Sequence, residues 1–315
     1  MDAIVTAGGI PQPDDPLYPY SNGNSKALID VAGKPMIQWV LDALGGARGV
    51  DNVIIIGLSP KSNITCKKPL HFISNQGRML ANIVAGVDKA LELNRQTKYV
   101  LVVSSDIPGI QAGMVDWLIN SAMKTRDDLY YGVIPRRIME KRYPDSNRTY
   151  TRLKDAEVCG ADMNIIHVRM ATEHLDTWEQ LIGNRKSPAR QAAMIGLGTL
   201  FQVALFHNIT IEDLVARVND RLGIKGRAIV WDQAEPGMDV DKPFQLEIMR
   251  ADLAKAQRRA AAAVKGKPKK AVKKAKRLPR AAGMKIVRPA KKSKAKARKA
   301  KPAARKPAKK AARRR

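Results

Sequence analysis

AIVTAGGIPQPDDPLYPYSNGNSKALIDVAGKPMIQWVLDAL, residues 3–44, decides the fold. It opens as a buried strand, DAIVTAG (2–8), that runs into the double glycine Gly8–Gly9. A dinucleotide-binding unit would begin a helix at once after such a turn. Here residues 10–24 carry four prolines and two aspartates instead, and no helical period. The helix is delayed until KPMIQWVLDAL (34–44), where Met36, Ile37, Val40, Leu41 and Leu44 recur at helical spacing and Pro35 suits a first turn. A long loop thus joins a glycine pair to a lysine, Lys26, ahead of the helix. Glycines without a Cβ let backbone N–H groups approach an anion, and a lysine adds a mobile ammonium to it. The same residues also suit an ordinary surface loop with a solvated lysine.

Outward from this stretch, apolar runs alternate with amphipathic segments. Strands are expected at 52–58, 70–74, 99–106 and 129–135, and helices at 78–93 and 113–123. This alternation predicts an α/β fold with a parallel, doubly wound sheet covered on both faces. Beyond residue 135 the pattern changes. Residues 148–168 read as strands joined by a charged turn, followed by helices at about 171–183, 188–206 and 211–222, with Thr210 as N-cap of the last. A late strand is expected at 226–232, and a helix from 242 drifts into a basic tail.

Charge divides the chain. Of its 57 Lys and Arg, 28 lie in residues 254–315, which hold no Asp or Glu. The remaining 29 face all 29 acidic residues in 1–253, so the body is formally neutral and the tail carries the net charge of +28. We therefore expect one globular domain over 1–253 and a disordered Lys/Arg/Ala/Pro-rich tail over 254–315. Cys66 and Cys159 make no metal-ligand spacing and no disulfide framework, and the four histidines are scattered without zinc-site spacing. With a first strand from about Asp2, which leaves no room for a signal peptide, and no long apolar run, a cytoplasmic protein is expected.

In open parallel sheets ligands bind beyond the carboxyl ends of the strands. Besides the opening loop, two acidic features fall there. Asp106 ends the strand in VVSSDIPG, where a carboxylate can hold Mg²⁺ against substrate phosphates or can initiate the turn before Pro108. Asp239 and Asp241, in EPGMDVDKPFQL, enter the final helix. One can supply a second carboxylate while the other is structural; either can instead be an N-cap.

Taken together, AIVTAGG, SKALIDVAGKPMIQWVLDAL, VLVVSSDIPGI and DVDKPFQLEIMRADL resemble the nucleotidyltransferase superfamily with a GT-A-like fold. The likeness is strongest to molybdenum-cofactor guanylyltransferase-like and sugar-1-phosphate nucleotidyltransferase-like proteins. The resemblance implies a three-layer α/β sandwich and a Mg²⁺-dependent transfer of a nucleoside monophosphate from a nucleoside triphosphate to a phosphorylated acceptor, with release of pyrophosphate. It further implies that Ala7, Gly8 and Gly9 cradle the nucleotide, that Lys26 neutralises its phosphates, and that Asp106 holds the metal with Asp239 or Asp241. Asn75, Gln76 and Gly77 fall where the family contacts base and ribose, and Gly160 and Asn164 where it contacts the acceptor. One departure stands out: the family commonly carries an arginine soon after the glycines, and residues 10–25 contain none. Arg136, Arg137, Lys141, Arg142, Arg148, Arg152 and Lys154 form a basic lobe that suits either a phosphorylated acceptor or plain solvation. The alternative function is a catalytically degenerate domain whose tail binds DNA or another polyanion. The tail holds no aromatic residue for stacking on bases, so its binding would be phosphate-driven and salt-dependent, with nucleoid association as one outcome.

Overall fold

The computed structural model describes residues 1–173, 175 and 208–265, all within the first of two compact units, Met1–Lys267. The expected helix at 188–206, most of the one at 171–183 and the tail beyond 265 lie outside the described residues.

The central sheet runs in the order β5 (Leu70–Ile73), β4 (Val53–Ile56), β1 (Asp2–Thr6), β6 (Tyr99–Ser104), β10 (Met163–His167), β7 (Leu129–Pro135), β9 (Glu157–Gly160), β8 (Thr151–Arg152), with β11 (Gly226–Val230) also on β7. Strands β5, β4, β1 and β6 are mutually parallel. Their side chains alternate between two cores, as a sheet covered on both faces requires. Ala3, Val5, Val53, Ile55, Leu101 and Val103 enter one core, whereas Ile4, Ile54, Ile56, Val100 and Val102 enter the other.

Helices fill both faces. On the first lie α2 (Met36–Gly46), α4 (Ala112–Ala122) and the start of α8 (Pro243–Lys265). On the second lie α3 (Met79–Leu93) and α6 (Arg169–Thr172). Two short helices, α1 (Tyr18–Ser21) and α5 (Arg136–Arg142), punctuate loops that sequence periodicity left blank. A separate antiparallel pair, β2 (Asp30–Val31) and β3 (Lys34–Pro35), precedes α2, so that Pro35 stands at the N-cap of the helix instead of in its first turn. Helix α7 (Ile211–Leu222) starts as expected, with the Thr210 hydroxyl accepting the Asp213 N–H at 3.1 Å.

Beyond β6 the sheet departs from parallel order, with antiparallel pairings of β10 to β6 and β7, of β9 to β7 and of β8 to β9. Strand β10 inserts antiparallel between β6 and β7, with Met163 opposite Val103. Its predecessor β9 pairs antiparallel with the far half of β7. The run from β9 to β10 bends at Ala161–Asp162, where the Ala161 N–H reaches Gly132 O at 2.9 Å and the Asp162 N–H reaches Pro236 O at 2.8 Å. That bend carries a carboxylate to the carboxyl end of β6.

Candidate functional site

The opening loop is a closed Ω-shaped excursion rather than a slack one. Its two ends are tied: the Lys26 N–H donates to Gly9 O at 2.8 Å, and the Ser25 hydroxyl donates to Ala7 O at 2.6 Å. Ser25 Oγ also accepts from the Ala27 N–H at 3.2 Å, starting a single 3₁₀ turn over Lys26–Leu28. Leu17 is fully buried and pins the middle of the loop to the core.

Gly8 is packed on two sides. A Cβ there would come within 2.8 Å of the Asn75 side chain, whose Nδ2 donates to Gly8 O at 3.0 Å. A Cβ on Gly57, which has φ +97°, would come within 2.2 Å of Gly8 Cα. Gly9, by contrast, is exposed, with nothing near its missing Cβ. Ala7 is buried. Asn75, Gln76 and Gly77 form the adjoining turn, knitted by Asn75 Oδ1 accepting the Gly77 N–H at 2.9 Å and buried Asn82 accepting the Gln76 N–H at 2.7 Å.

At the other end of the loop Lys26 reaches inward. Its Nζ lies 2.6 Å from Asp106 Oδ2 and 2.6 Å from Asp241 Oδ1. These two carboxylates raise its pKa above the ordinary lysine value against the opposing effect of burial, so the ammonium stays charged. Asp106 is buried and accepts the Ser104 hydroxyl at 2.5 Å through Oδ1. The Val240 N–H donates to Asp106 O at 3.0 Å, and Val240 is itself fully buried. Asp239 and Asp241 flank this inward-facing residue but take different partners. Asp241 goes to Lys26, whereas Asp239 forms an ion pair with Arg148. Neither aspartate occupies the N-cap position of α8, because Lys242 separates Asp241 from Pro243. Gln245 Oε1 accepts the Asp241 N–H at 2.9 Å and fixes that turn.

Sequence reasoning missed Asp162. Burial pushes its carboxyl up to about 7, reinforced by the negative charges of Asp106 and Asp241 and opposed by Arg148 and Lys26. It thus completes a group of four carboxylates, Asp106, Asp162, Asp239 and Asp241, facing two cations, Lys26 and Arg148. One signal could have revealed it: a lone carboxylate entering DMNIIHV, whose alternate residues Met163 and Ile165 are core.

Gly160 and Asn164 sit along the same bend but do different work from polar display. Asn164 Oδ1 accepts the Gly132 N–H at 2.8 Å and its Nδ2 donates to Ala161 O at 3.1 Å, so its amide is spent on backbone. Gly160 leaves room for the Tyr131 hydroxyl, which a Cβ would meet at 2.5 Å. Both line a cavity of about 480 Å³ together with Tyr131, Leu153 and Asp162. Much of the basic lobe is also internally matched: Arg136 pairs with Glu140 and Glu157, Arg142 with Glu235 and Asp252, and Arg152 with Glu157.

The site's charge suits a hard divalent cation. Four carboxylates against two side-chain cations leave two negative charges when all are ionised. The oxygens Asp106 Oδ2 and Asp241 Oδ1 already converge on one cation, the Lys26 ammonium. Among the described residues no group of three or more His, Cys, Asp or Glu forms a ready metal cage. Two convergent carboxylate oxygens are hard donors of the kind a hard divalent cation takes.

Comparison with known proteins agrees with this architecture. A molybdenum cofactor guanylyltransferase from Shewanella sediminis (strain HAW-EB3) is 26% identical over 129 residues, 41% of this chain and 60% of that protein. The chain thus matches about 60% of the length of that curated relative. A solved hypothetical transferase from Thermus thermophilus superposes with a TM-score of 0.66 at 26% identity, covering 78% of this chain and 99% of the other. The structure of a CMP:2-keto-3-deoxy-manno-octonic acid synthetase shares the fold, with a TM-score of 0.51 at 15% identity, covering 81% of this chain and 98% of that one. The profile of the MobA-like NTP transferase domain matches residues 18–222, well over half of the chain, and the protein belongs to that family.

Proposed function

We propose that the protein is a Mg²⁺-dependent nucleotidyltransferase. An oxygen of a phosphorylated acceptor attacks the α-phosphorus of a nucleoside triphosphate and forms a new P–O bond. The bond from that phosphorus to the bridging oxygen breaks, and pyrophosphate leaves with the electron pair. One observation carries this reading: Lys26, at the closing end of the Gly8–Gly9 loop, meets Asp106 and Asp241 at one point. A phosphate cradle and a carboxylate pair are thereby adjacent.

The chain's own residues divide the work. Gly8 and Gly9 offer backbone close to the triphosphate, and Ser25 and Leu17 hold the loop in the shape that does so. Lys26 neutralises phosphate charge. Asp106 and Asp241 hold Mg²⁺, which supplies charge neutralisation to the phosphates and leaving group when bound. Of the pair Asp239 and Asp241, it is Asp241 that converges with Asp106 on one cation, whereas Asp239 pairs with Arg148. Asn75, Gln76 and Gly77 adjoin Gly8 and suit contacts to base and ribose. Gly160 and Asn164 shape the wall on the acceptor's side rather than grip it. Catalysis by such a site is chiefly positioning and electrostatics.

A second reading is favoured by the opening loop, whose residues 10–25 hold no basic side chain. In it the domain is a catalytically degenerate scaffold, and the tail of residues 254–315 binds DNA or another polyanion. The two readings separate in a thermal-shift screen of nucleoside triphosphates with Mg²⁺. A ligand at a hundred times its dissociation constant adds about 2.7 kcal/mol of stability. The enzyme reading expects a metal-dependent shift that Asp106→Asn removes. No metal-dependent shift with any triphosphate would leave the scaffold reading standing alone.

A further inference from the structure

Lys26 stands where a metal is expected. Its ammonium contacts one oxygen from each of two carboxylates, Asp106 Oδ2 and Asp241 Oδ1, at 2.6 Å apiece. These same oxygens are the hard donors that converge at the reactive end of β6. A lysine ammonium and a divalent cation cannot both hold them, because each needs direct contact and the two cations repel.

The lysine's main chain is fixed, its N–H bound to Gly9 O at 2.8 Å. Only the side chain can leave. The side chains of Lys26 and Asp106 are 19% and 12% exposed, while that of Asp241 is 58% exposed. Expelling the ammonium without a new partner therefore leaves the shielded Asp106 carboxylate unpaired, which is costly. A triphosphate seated on Gly8–Gly9 supplies that partner, at the same end of the loop from which the lysine reaches.

We propose that Lys26 is a built-in occupant of the metal position, and that divalent cation and triphosphate enter together as Lys26 exchanges carboxylate for phosphate. This rests on the nucleotidyltransferase reading for the identity of the ligands, though not for the exchange at the carboxylates. Metal and triphosphate then strengthen each other's binding reciprocally, as any coupling between two ligands must. Metal alone binds weakly because the lysine competes with it.

The test is a titration of the full-length protein with Mn²⁺ followed by electron paramagnetic resonance, with no nucleotide present. Lys26→Gln is expected to bind Mn²⁺ at least tenfold more tightly than wild type, and Lys26→Arg to bind it as weakly as wild type. Adding Asp241→Asn to Lys26→Gln is expected to abolish the gain. If Lys26→Gln does not fold, the wild-type protein carries the test: inorganic tripolyphosphate must tighten Mn²⁺ binding at least tenfold beyond its own chelation. Equal or weaker Mn²⁺ binding by Lys26→Gln, binding by neither protein, or additive binding of Mn²⁺ and tripolyphosphate to wild type overturns the exchange. Pyrophosphate release is scored separately. A chain that shows the exchange without turnover keeps this inference and loses the enzyme reading, and turnover without the exchange does the reverse.

Discussion

At the scale of single residues, two glycines at the opening loop and beside it make opposite demands. Gly57 holds φ +97°, and any Cβ there would meet Gly8 Cα at 2.2 Å. Gly57→Ala is therefore expected to destabilise the fold by on the order of 3 kcal/mol in urea unfolding, from backbone strain and collision together. Gly9→Ala meets nothing within 4 Å, and its stability should stay within about 0.5 kcal/mol of wild type. A different residue sets a pH dependence. Asp162 is raised from its ordinary 3.8 to about 7 in the folded protein. The unfolded chain thus releases this proton first, so Asp162 costs stability progressively as pH rises from about 4 to about 7. Urea unfolding of the metal-free protein across that window should show the decline, and Asp162→Asn should flatten it. A decline of the same size in Asp162→Asn would assign the effect to another group.

Among the elements, the opening loop and the helix after it account for most of what the sequence allowed one to read. The five apolar positions assigned to α2, Met36, Ile37, Val40, Leu41 and Leu44, are all fully buried. Helical periodicity reports a face directly, so they were readable without any partner. Strand order was not. The insertion of β10 between β6 and β7 depends on a bend at Ala161–Asp162 whose hydrogen bonds join residues far apart in sequence. Asp162 was hidden for the same reason, since its neighbours become known only once Met163 is set opposite Val103. Simple alternation would keep Asp239 and Asp241 on one face, so that Asp241 takes Lys26 and Asp239 takes Arg148 needed the structure. Asn164 shows the converse: a polar side chain at a functional-looking position whose amide serves the backbone of the bend. Ser25 is the test at this scale. Its hydroxyl bonds Ala7 O and the Ala27 N–H, so Ser25→Ala should cost about 1–3 kcal/mol and weaken triphosphate binding through a looser loop. Calorimetric titration alongside urea unfolding checks both parts, and an unchanged affinity would detach the loop from the ligand.

At the scale of the whole molecule, a neutral body is joined to a tail that carries the entire net charge. The described helix α8 extends to Lys265, and the compact unit reaches Lys267. Among the described residues no helix is long and apolar enough to cross a membrane. Removing residues 268–315 is expected to leave unfolding and nucleotide binding unchanged while abolishing binding to duplex DNA. For the intact chain, the logarithm of DNA affinity should fall linearly with the logarithm of salt concentration, as release of counterions dictates. Retained DNA binding by the truncated protein would move that activity onto the body. The central claim concerns the body itself, and pyrophosphate release tests it most directly. Purified protein is incubated with Mg²⁺, each nucleoside triphosphate and a panel of phosphorylated acceptors, and pyrophosphate is followed by ³¹P NMR. The account predicts acceptor-dependent pyrophosphate from at least one triphosphate, lost in Asp106→Asn and in Lys26→Gln. Pyrophosphate that persists undiminished in Asp106→Asn, or none from any combination, would contradict it.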